Sequence, residues 1–318
     1  MYKAEIPVFF TIDDSYAPYL GVALTSMKEN ASLEYDYKII VVEQKLSDVN
    51  RRKLQALEDP GFSISFVRMD AVAEKITDRE ENRLRCDYFT LTIYYRLFIA
   101  DMFPQYDRAV YIDSDVVIPG DISKLYEINP GECLIGACPD YSISDVPELV
   151  QYTGEAVGME TGKYINSGVL LLNLKKMREV KLADHFLGLL ERYHFDCIAP
   201  DQDYLNAMCN GKILYLDRKW DAMPVRGREL LKDPQIIHYN LFEKPWCYSG
   251  VTYEDIFWSY AKRTAFYEEI RQFKENYGED QRRSDSRCMK LLIEKARTIP
   301  KTEVTFRKIK ERGERISL

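Results

Sequence analysis

The first 70 residues alternate between short apolar segments and amphipathic segments, and this alternation limits the fold more than any other feature of the sequence. Apolar residues dominate IPVFF and YKIIVV, and a third segment, FSISFVRMD, alternates in character. The first intervening segment, 17–30, carries apolar residues at helical spacing, and the second begins at Ser47, a typical helix N-cap. Strands that alternate with helices predict a largely parallel sheet with crossover helices.

The pattern continues, less regularly, through the rest of the chain. We predict one helix over 87–104, a strand over 108–118, and a strand followed by a helix in YINSGVLLLNLKKMRE. Further strands are predicted in CLIGACPDY and KILYLDRKWD, a helix over PDQDYLNAM that stops near Gly211, and one amphipathic helix over 255–277. Ligands of such sheets bind beyond the carboxyl ends of the strands, where the 108–118 segment carries its acidic residues.

Length and charge restrict the class of protein. A chain of 318 residues can hold one large α/β domain with an appendage. No apolar run approaches the roughly 18–20 residues of a membrane helix, and the N-terminal run is too short for a signal peptide, so we expect a cytoplasmic protein. The net charge is −7, although residues 281–318 hold 12 basic against five acidic residues. The remaining body is therefore strongly acidic, which argues against nucleic acid as a partner.

Two carboxylates one residue apart interrupt the apolar run VYIDSDVVI. Burying Asp113 and Asp115 would be costly unless they are paired or bind a metal, so the segment is either a polar turn or a cation site. Carboxylate oxygens suit Mg²⁺ or Mn²⁺, and an added imidazole favours Mn²⁺. His238, at the end of a short apolar segment, could supply that imidazole.

Other polar residues have a functional and a structural interpretation. Lys244 could hold a phosphate or be a solvated loop lysine. The segment Asp201-Gln202-Asp203 could place charge near a reacting carbon or cap the following helix. Asp13 and Ser15 could bind a nucleotide or begin a helix. Each pattern alone leaves both interpretations open.

Five segments in order form a more specific pattern. They are FFTIDDSYAPYLGVALTSM, RLFIADMFPQYDRAVYIDSDVVI, YINSGVLLLNLKKMR, PDQDYLNAM and IIHYNLFEKPW. Over roughly residues 5–250 the sequence resembles the family 8 retaining glycosyltransferases, which include bacterial lipopolysaccharide galactosyl- and glucosyltransferases and the glycogenins. The resemblance implies the GT-A fold, an α/β architecture with a Rossmann-like mixed sheet. It divides the first 250 residues into a nucleotide-sugar half (about 1–130) and an acceptor half (about 131–250). Outside the resemblance we predict a helical, basic C-terminal extension (251–318).

The resemblance also implies roles for individual residues. It implies Mn²⁺, with Mg²⁺ as the alternative, bound by Asp113, Asp115 and His238. The residues implied to bind the nucleotide part of a UDP-sugar, at uridine, ribose and diphosphate, are Thr11, Asp13, Ser15, Tyr16, Ser114 and Lys244. The residues implied to surround the sugar and the acceptor are Arg96, Asn166, Asp201, Gln202 and, on the acceptor side, Asp140. Arg96 is also expected to brace Asp113.

These implications predict a metal-dependent enzyme that moves glucose or galactose from a UDP-sugar to a saccharide or lipid-linked glycan with retention. Two alternatives are a phosphohydrolase of the haloacid dehalogenase type, which YIDSDVV also resembles, and a non-catalytic nucleotide-sugar binder. One position departs from the family pattern, because Leu241 stands where a glycine is usual. The basic C-terminal end predicts either peripheral binding to an anionic inner membrane or a solvated or disordered tail.

Overall fold

A computed structural model describes residues 3–68, 91–225, 227 and 230–318, and its centre is a seven-stranded sheet. The strands in chain order are β1 (Ala4–Asp13), β2 (Tyr35–Gln44), β3 (Phe62–Arg68), β4 (Ala109–Ile112), β5 (Val116–Val117), β6 (Ile135–Pro139), β7 (Ile165–Leu172), β8 (Ile213–Tyr215) and β9 (Ile237–His238). The sheet has the order β3-β2-β1-β4-β7-β6-β8, and β7 runs antiparallel to both of its neighbours. The remaining two strands, β5 and β9, form a small antiparallel pair.

Helices cover both faces of the sheet. They are α1 (Ala17–Asn30), α2 (Asp48–Gln55), α3 (Ile99–Met102), α4 (Ser123–Tyr126), α5 (Pro147–Tyr152), α6 (Leu174–Glu179), α7 (Leu182–Tyr193), α8 (Pro200–Met208), α9 (Glu254–Ala261), α10 (Tyr267–Asn276), α11 (Glu279–Thr298) and α12 (Phe306–Glu311). Alternate residues of β4 enter two separate hydrophobic cores: Ala109 and Tyr111 face one, and Val110 and Ile112 face the other. The sheet is therefore buried on both sides, as its continuous apolar strands require.

The strand–helix alternation predicted for the N-terminal half is confirmed. β1 pairs in parallel with β2, and β2 pairs in parallel with β3, with α1 and α2 as the crossover helices. Ser47 is the N-cap of α2, and its hydroxyl accepts the backbone N–H of Asn50 at 3.2 Å. The mixed sheet with C-terminal helices is the predicted GT-A architecture.

Three predicted elements are divided in the structure. The predicted helix 87–104 lies partly outside the described residues, and its remainder is a 3₁₀ segment over 91–97 followed by α3. Residues 94–98 are all buried, so this segment lacks the single apolar stripe of an α-helix. The predicted strand 108–118 breaks at Asp113-Ser114 into β4 and β5. The predicted helix 255–277 breaks into α9 and α10, where the Thr264 hydroxyl bonds to backbone on both sides.

The basic C-terminal segment is helical and packed, so the expectation of a disordered tail is wrong. Phe306 in α12 is buried against the rings of Phe195 and Tyr204, with centroids 4.0 and 4.9 Å away. The backbone N–H of Leu318 donates to the carbonyl of Met208 at the end of α8. The last two helices, α11 and α12, thus share one of the two cores of the sheet with α8. Within the described ranges, no helix combines the length and apolar character needed to cross a membrane.

Candidate active site

Asp113, Asp115 and His238 meet at one edge of the sheet. Asp113 and Asp115 lie in the turn between β4 and β5, and His238 ends β9. Because Val116 in β5 pairs with His238 in β9, the imidazole is brought beside the two carboxylates. His238 Nε2 lies 3.4 Å from Asp115 Oδ1 and 3.9 Å from Asp113 Oδ2. One ligand atom from each residue falls within 4.8 Å of the others, so the three could hold one cation.

A third carboxylate fixes the orientation of His238. Asp221 is fully buried, and its Oδ1 lies 3.0 Å from Nδ1 of His238, which leaves Nε2 directed at Asp113 and Asp115. Burial works to lower the pKa of His238, but Asp221 and Asp115 outweigh it and raise that pKa to about 10. A metal at Nε2 would therefore have to displace a proton.

Gly168 gives the three residues room to approach. A Cβ atom at this position would lie 2.2 Å from Cε1 of His238 and 2.9 Å from Oδ2 of Asp113. The carbonyl of Gly168 also accepts the backbone N–H of Asp113 at 2.7 Å. Two carboxylate oxygens and one imidazole nitrogen, packed around a position without a side chain, fit a divalent cation of the Mg²⁺–Mn²⁺ type.

Arg96 joins the acidic turn to two other elements. Its Nη2 donates to Asp113 Oδ1 at 2.8 Å, its Nε lies 3.1 Å from Asp201 Oδ2, and its Nη1 donates to the backbone carbonyl and hydroxyl of Ser167. The guanidinium is 5% exposed. Burial alone would lower the pKa of the Arg96 guanidinium. The charges of Asp113 and Asp201 outweigh burial, with Asp113 the stronger, and raise that pKa, so Arg96 stays charged. The expected bracing of Asp113 by Arg96 is present in the geometry.

Lys244 lies against the second aspartate. Its Nζ is 2.5 Å from Asp115 Oδ2 and donates to the carbonyl of Tyr239 at 2.6 Å. Burial would raise the pKa of Asp115, but Lys244 and His238 together lower it well below its usual range. Lys244 is therefore a buried, positioned cation, and the solvated loop lysine of the alternative interpretation is wrong.

A second polar cluster lies beside the acidic turn, at the start of β7 and in α8. Nδ2 of Asn166 and Nε2 of Gln202 both donate to Asp140 Oδ2, at 3.1 and 3.0 Å. The backbone N–H of Ser167 donates to Gln202 Oε1 at 3.0 Å, and its hydroxyl donates to Asp201 Oδ2 at 3.0 Å. Because β7 is antiparallel, its first residues, rather than its last, meet the carboxyl end of β4. The predicted sugar-side residues are thus brought together.

The predicted nucleotide-side residues lie at the ends of β1 and β4, which are neighbours in the sheet. The Thr11 hydroxyl is 2.8 Å from the Tyr111 hydroxyl, which in turn donates to Asp113 Oδ1 at 2.6 Å. Asp13 Oδ1 accepts the backbone N–H groups of Ser15 and Tyr16 at 3.0 and 3.3 Å, so Asp13 caps a short 3₁₀ turn. The remaining residue of this set, Ser114, is buried between the two aspartates.

Leu241 has an unusual backbone conformation. Its φ is +59°, in the left-handed region that favours glycine, and its half-buried side chain lines a cavity together with Asp140 and Gln202. The preceding residue, Asn240, donates from Nδ2 to the Ser142 hydroxyl at 2.9 Å, and that hydroxyl donates to Asp140 Oδ1 at 2.5 Å. The loop after His238 is therefore tied to the sugar-side cluster.

Sequence reasoning missed several residues of this site. Asp221 occurs 17 residues before His238 in RKWDAMP, a segment with no pattern that distinguishes it from a surface turn. Tyr111 reads only as an apolar strand residue, and Ser142 and Asn240 only as loop residues. The Ser167-Gly168 pair in the predicted strand is compatible in sequence with either a close backbone approach or a bulge, and nothing local indicates its partners.

A GT-A sheet with an acidic turn at the end of β4 defines a glycosyltransferase, and the sequence comparison names its family. The chain belongs to glycosyl transferase family 8, whose model matches residues 7–250. The lipopolysaccharide 1,2-glucosyltransferase of Escherichia coli K12 is 27% identical over 263 residues, which cover 75% of this chain and 72% of that enzyme. The protein is therefore an enzyme that transfers sugars.

Solved structures agree with this assignment. The galactosyltransferase LgtC, solved with donor and acceptor sugar analogues, has a TM-score of 0.69 and 25% identity, covering 82% of this chain and 96% of that chain. The bifunctional glycosyltransferase WbbM shares the fold, with a TM-score of 0.73 and 24% identity over 87% of this chain. The match covers 53% of the WbbM chain, so the present chain spans about half of it.

Proposed function

We propose that the enzyme transfers glucose or galactose from a UDP-sugar to a saccharide or lipid-linked glycan, with retention at the anomeric carbon and with Mn²⁺ as the metal. The observation that carries the proposal is the position of the Asp113–Asp115–His238 group between Lys244 on one side and Arg96 on the other, in a chain of family 8. A bound Mn²⁺ would neutralise charge that develops on the leaving diphosphate.

The donor would lie along the edge of the sheet from β1 to β7. The nucleoside would bind at the turn capped by Asp13, with the ribose near Ser114 and the diphosphate beside the acidic turn and Lys244. The hexose would then face the cluster of Asp140 and Gln202. This order follows the arrangement of the elements, because β1, β4 and β7 are successive strands of the sheet.

The contacts of the sugar-side residues favour a same-face reaction over a covalent intermediate on the protein. Gln202 is a neutral amide, which is a weak nucleophile, and its oxygen accepts the Ser167 N–H. Asp201 is paired with Arg96 and bonded to the Ser167 hydroxyl. The bond from the anomeric carbon to the phosphate oxygen would break, the acceptor oxygen would form the new bond on the same face, and the leaving phosphate would take the acceptor proton.

Asp140 is the proposed contact to the acceptor. It is buried at the end of β6, where it already accepts hydrogen bonds from Asn166, Gln202 and Ser142. A hydroxyl of a glycan acceptor could add to this network at the side of the hexose. An acceptor site built on carboxylate and amide groups suits a polyhydroxylated substrate rather than an apolar one.

We also propose that the C-terminal helices bind the inner face of an anionic membrane. Arg282, Arg287 and Lys290 are exposed on α11, and the apolar side chains of Phe273 on α10 and Leu291 on α11 are each 45% accessible. Each basic residue near an anionic surface adds about 1 kcal/mol of attraction. Sedimentation with vesicles of anionic lipid should carry the enzyme down, while vesicles of neutral lipid should leave it in the supernatant.

A thermal-shift screen of nucleotide sugars with and without Mn²⁺ tests the central proposal. The best UDP-hexose should raise the melting temperature most, and only with metal, because a ligand that binds the native state stabilises it. Asp115→Asn should abolish this shift, whereas Asp48→Asn, on the exposed start of α2, should retain it. No response of the wild-type protein to any UDP compound would contradict the proposal.

The two alternatives make different predictions. Family 8 membership removes the support for a phosphohydrolase, and three strands of the described residues precede β4, the strand that Asp113 follows. Beryllofluoride should therefore fail to trap a phosphoaspartate analogue. A non-catalytic binder would bind UDP without donor hydrolysis and without transfer to any of a broad panel of glycans, and that result would replace the proposed transferase with a binding protein.

A further inference from the structure

Lys244 is buried in a way that ties its charge to one candidate metal ligand. It is 5% exposed, and its ammonium contacts Asp115 Oδ2 at 2.5 Å and the Tyr239 carbonyl at 2.6 Å. The ring of Trp246 lies 5.4 Å from the ammonium, within the range of a cation–π contact. These three partners hold the charge in place instead of leaving it on a flexible stem.

The two oxygens of the Asp115 carboxylate face two different side chains. Its Oδ2 contacts Lys244, and its Oδ1 faces Nε2 of His238, the side on which Asp113 also lies. A cation held by the three candidate ligands would therefore share Asp115 with the ammonium. Each positive charge would weaken the hold of the carboxylate on the other, and the two charges would also repel each other directly.

The other buried cation does not have this property. Arg96 contacts Asp113, but it also contacts Asp201, so two carboxylates offset its charge. Among the residues that the structure describes, Lys244 has an ion pair with Asp115 alone. When a divalent cation binds to Asp113, Asp115 and His238, the charge of Lys244 is therefore less well offset than that of Arg96, and a further anion would stabilise it more.

We propose that Lys244 makes metal binding depend on the donor's diphosphate. The ammonium lowers the affinity of the site for a divalent metal alone. It raises the affinity for metal and nucleoside diphosphate together, because the phosphates supply the missing negative charge to both cations. By thermodynamic reciprocity, the metal then increases the affinity for the diphosphate by the same factor as the diphosphate increases that for the metal. This inference rests on the proposed function, since it takes the donor to be a nucleoside diphosphate sugar.

Isothermal titration of two variants tests the proposal. Lys244→Met removes the charge at similar length, and Lys244→Arg keeps it. Mn²⁺ is titrated into each protein alone and in the presence of saturating UDP. In the wild-type protein, UDP should tighten Mn²⁺ binding by roughly 5–150-fold, the usual range of coupling between two ligands. The Arg variant should retain coupling in the same direction.

In the Met variant, the affinity for Mn²⁺ alone and the affinity for Mn²⁺ in the presence of UDP should change in opposite directions. This variant should bind Mn²⁺ alone several-fold more tightly than the wild-type protein, bind Mn²⁺ with UDP more weakly, and show a coupling factor well below the wild-type value. Equal or weaker binding of Mn²⁺ alone by the Met variant would overturn the inference. Its melting temperature and circular dichroism, compared with those of the Arg variant, show whether both variants are folded.

The titrations separate this inference from the proposed function. If the wild-type protein binds neither Mn²⁺ nor UDP under any condition, the transferase proposal fails. If it binds both, but Lys244→Met lowers both affinities or changes neither, only the coupling role of Lys244 fails. The experiment reads binding directly, so it requires no knowledge of the acceptor.

Discussion

Asp221 Oδ1 lies 3.0 Å from His238 Nδ1, and both residues are buried where β9 meets the acidic turn. This contact fixes which imidazole nitrogen faces Asp113 and Asp115. Asp221 itself has a raised pKa because burial disfavours its charge, although His238 opposes that shift. A carboxylate retained at such a position indicates a role in orienting the metal ligand.

Asp221→Asn should weaken Mn²⁺ binding by about 10–100-fold, the usual effect of removing a carboxylate behind a histidine ligand. Isothermal titration in the presence of UDP measures this change. Asp217→Asn is a matched control, because Asp217 is an exposed acidic residue in the same segment that caps only a 3₁₀ turn. Wild-type affinity in the Asp221 variant would show that the contact is structural only.

Gly168→Ala should disrupt the metal site, because the new methyl group would lie 2.2 Å from Cε1 of His238. Overpacking of this kind costs about 1–3 kcal/mol of stability. Gly188→Ala is the control, since Gly188 is exposed in α7 with open space around its Cβ position, and it should raise stability slightly. Chemical denaturation measures both changes, and unaltered Mn²⁺ binding by Gly168→Ala would contradict the packing argument.

Leu241→Gly and Leu241→Ala together measure the cost of the left-handed backbone at φ +59°. Both variants remove the leucine side chain, but only glycine relieves the steric conflict of a Cβ atom in this region. The glycine variant should therefore be more stable than the alanine variant by about 1 kcal/mol, the reverse of the usual order. Equal stabilities would show that the loop adopts another conformation in solution.

Asp203 predicts a pH dependence of stability that does not involve the metal ligands. Burial raises the pKa of Asp203 to about 6, although hydrogen bonds from Tyr164, Tyr152 and the start of α8 oppose the shift. Between pH 3.8, the pKa of this group in the unfolded chain, and pH 6, the folded state binds more protons at Asp203 than the unfolded state does. The contribution of Asp203 to the free energy of unfolding is therefore fully present below pH 3.8 and is lost as the pH rises through 6.

Asp203→Asn should remove this contribution. An asparagine oxygen can still accept from the backbone N–H groups of Ile198 and Ala199, and the Tyr164 hydroxyl can turn to accept from the amide. The difference in unfolding free energy between wild type and variant should fall by about 2 kcal/mol from pH 4 to pH 7, at about 1.4 kcal/mol per pKa unit. If the unfolding free energies of the two proteins changed with pH in parallel, the pKa of Asp203 would not be raised in the folded state.

The parts of the fold that depend on local pattern could be predicted from sequence. The strands and helices of the first 68 residues follow from apolar periodicity and from one N-cap, Ser47. The acidic turn was recognisable because charge interrupts an apolar run. The break of that run into β4 and β5 was not, because it depends on β5 pairing with β9, about 120 residues away.

The same reason explains why the site was only partly predictable. His238 could be recognised from its residue type as a possible third ligand, but only the family resemblance gave His238 and Lys244 definite positions near the acidic turn, since no local pattern joins them to it. Asp221 was missed because a buried aspartate that supports a ligand looks like any other aspartate in a turn. Leu241 was recognised as a departure from the family, but its positive φ is a property of the folded loop.

The contacts of Arg96 have a consequence for how the enzyme folds. Arg96 reaches Asp113, 17 residues away, Ser167, 71 residues away, and Asp201 in α8. Contacts between residues so far apart in the chain form slowly, because closing long loops costs entropy before any contact compensates for it. The acidic turn can form early with β4, but the set of partners that holds Arg96 beside Asp113 is complete only after β7 and α8 have docked. In a partly folded chain Arg96 would therefore not yet be fixed beside the two carboxylates at the end of β4, and mutations of Arg96 should slow folding as well as catalysis.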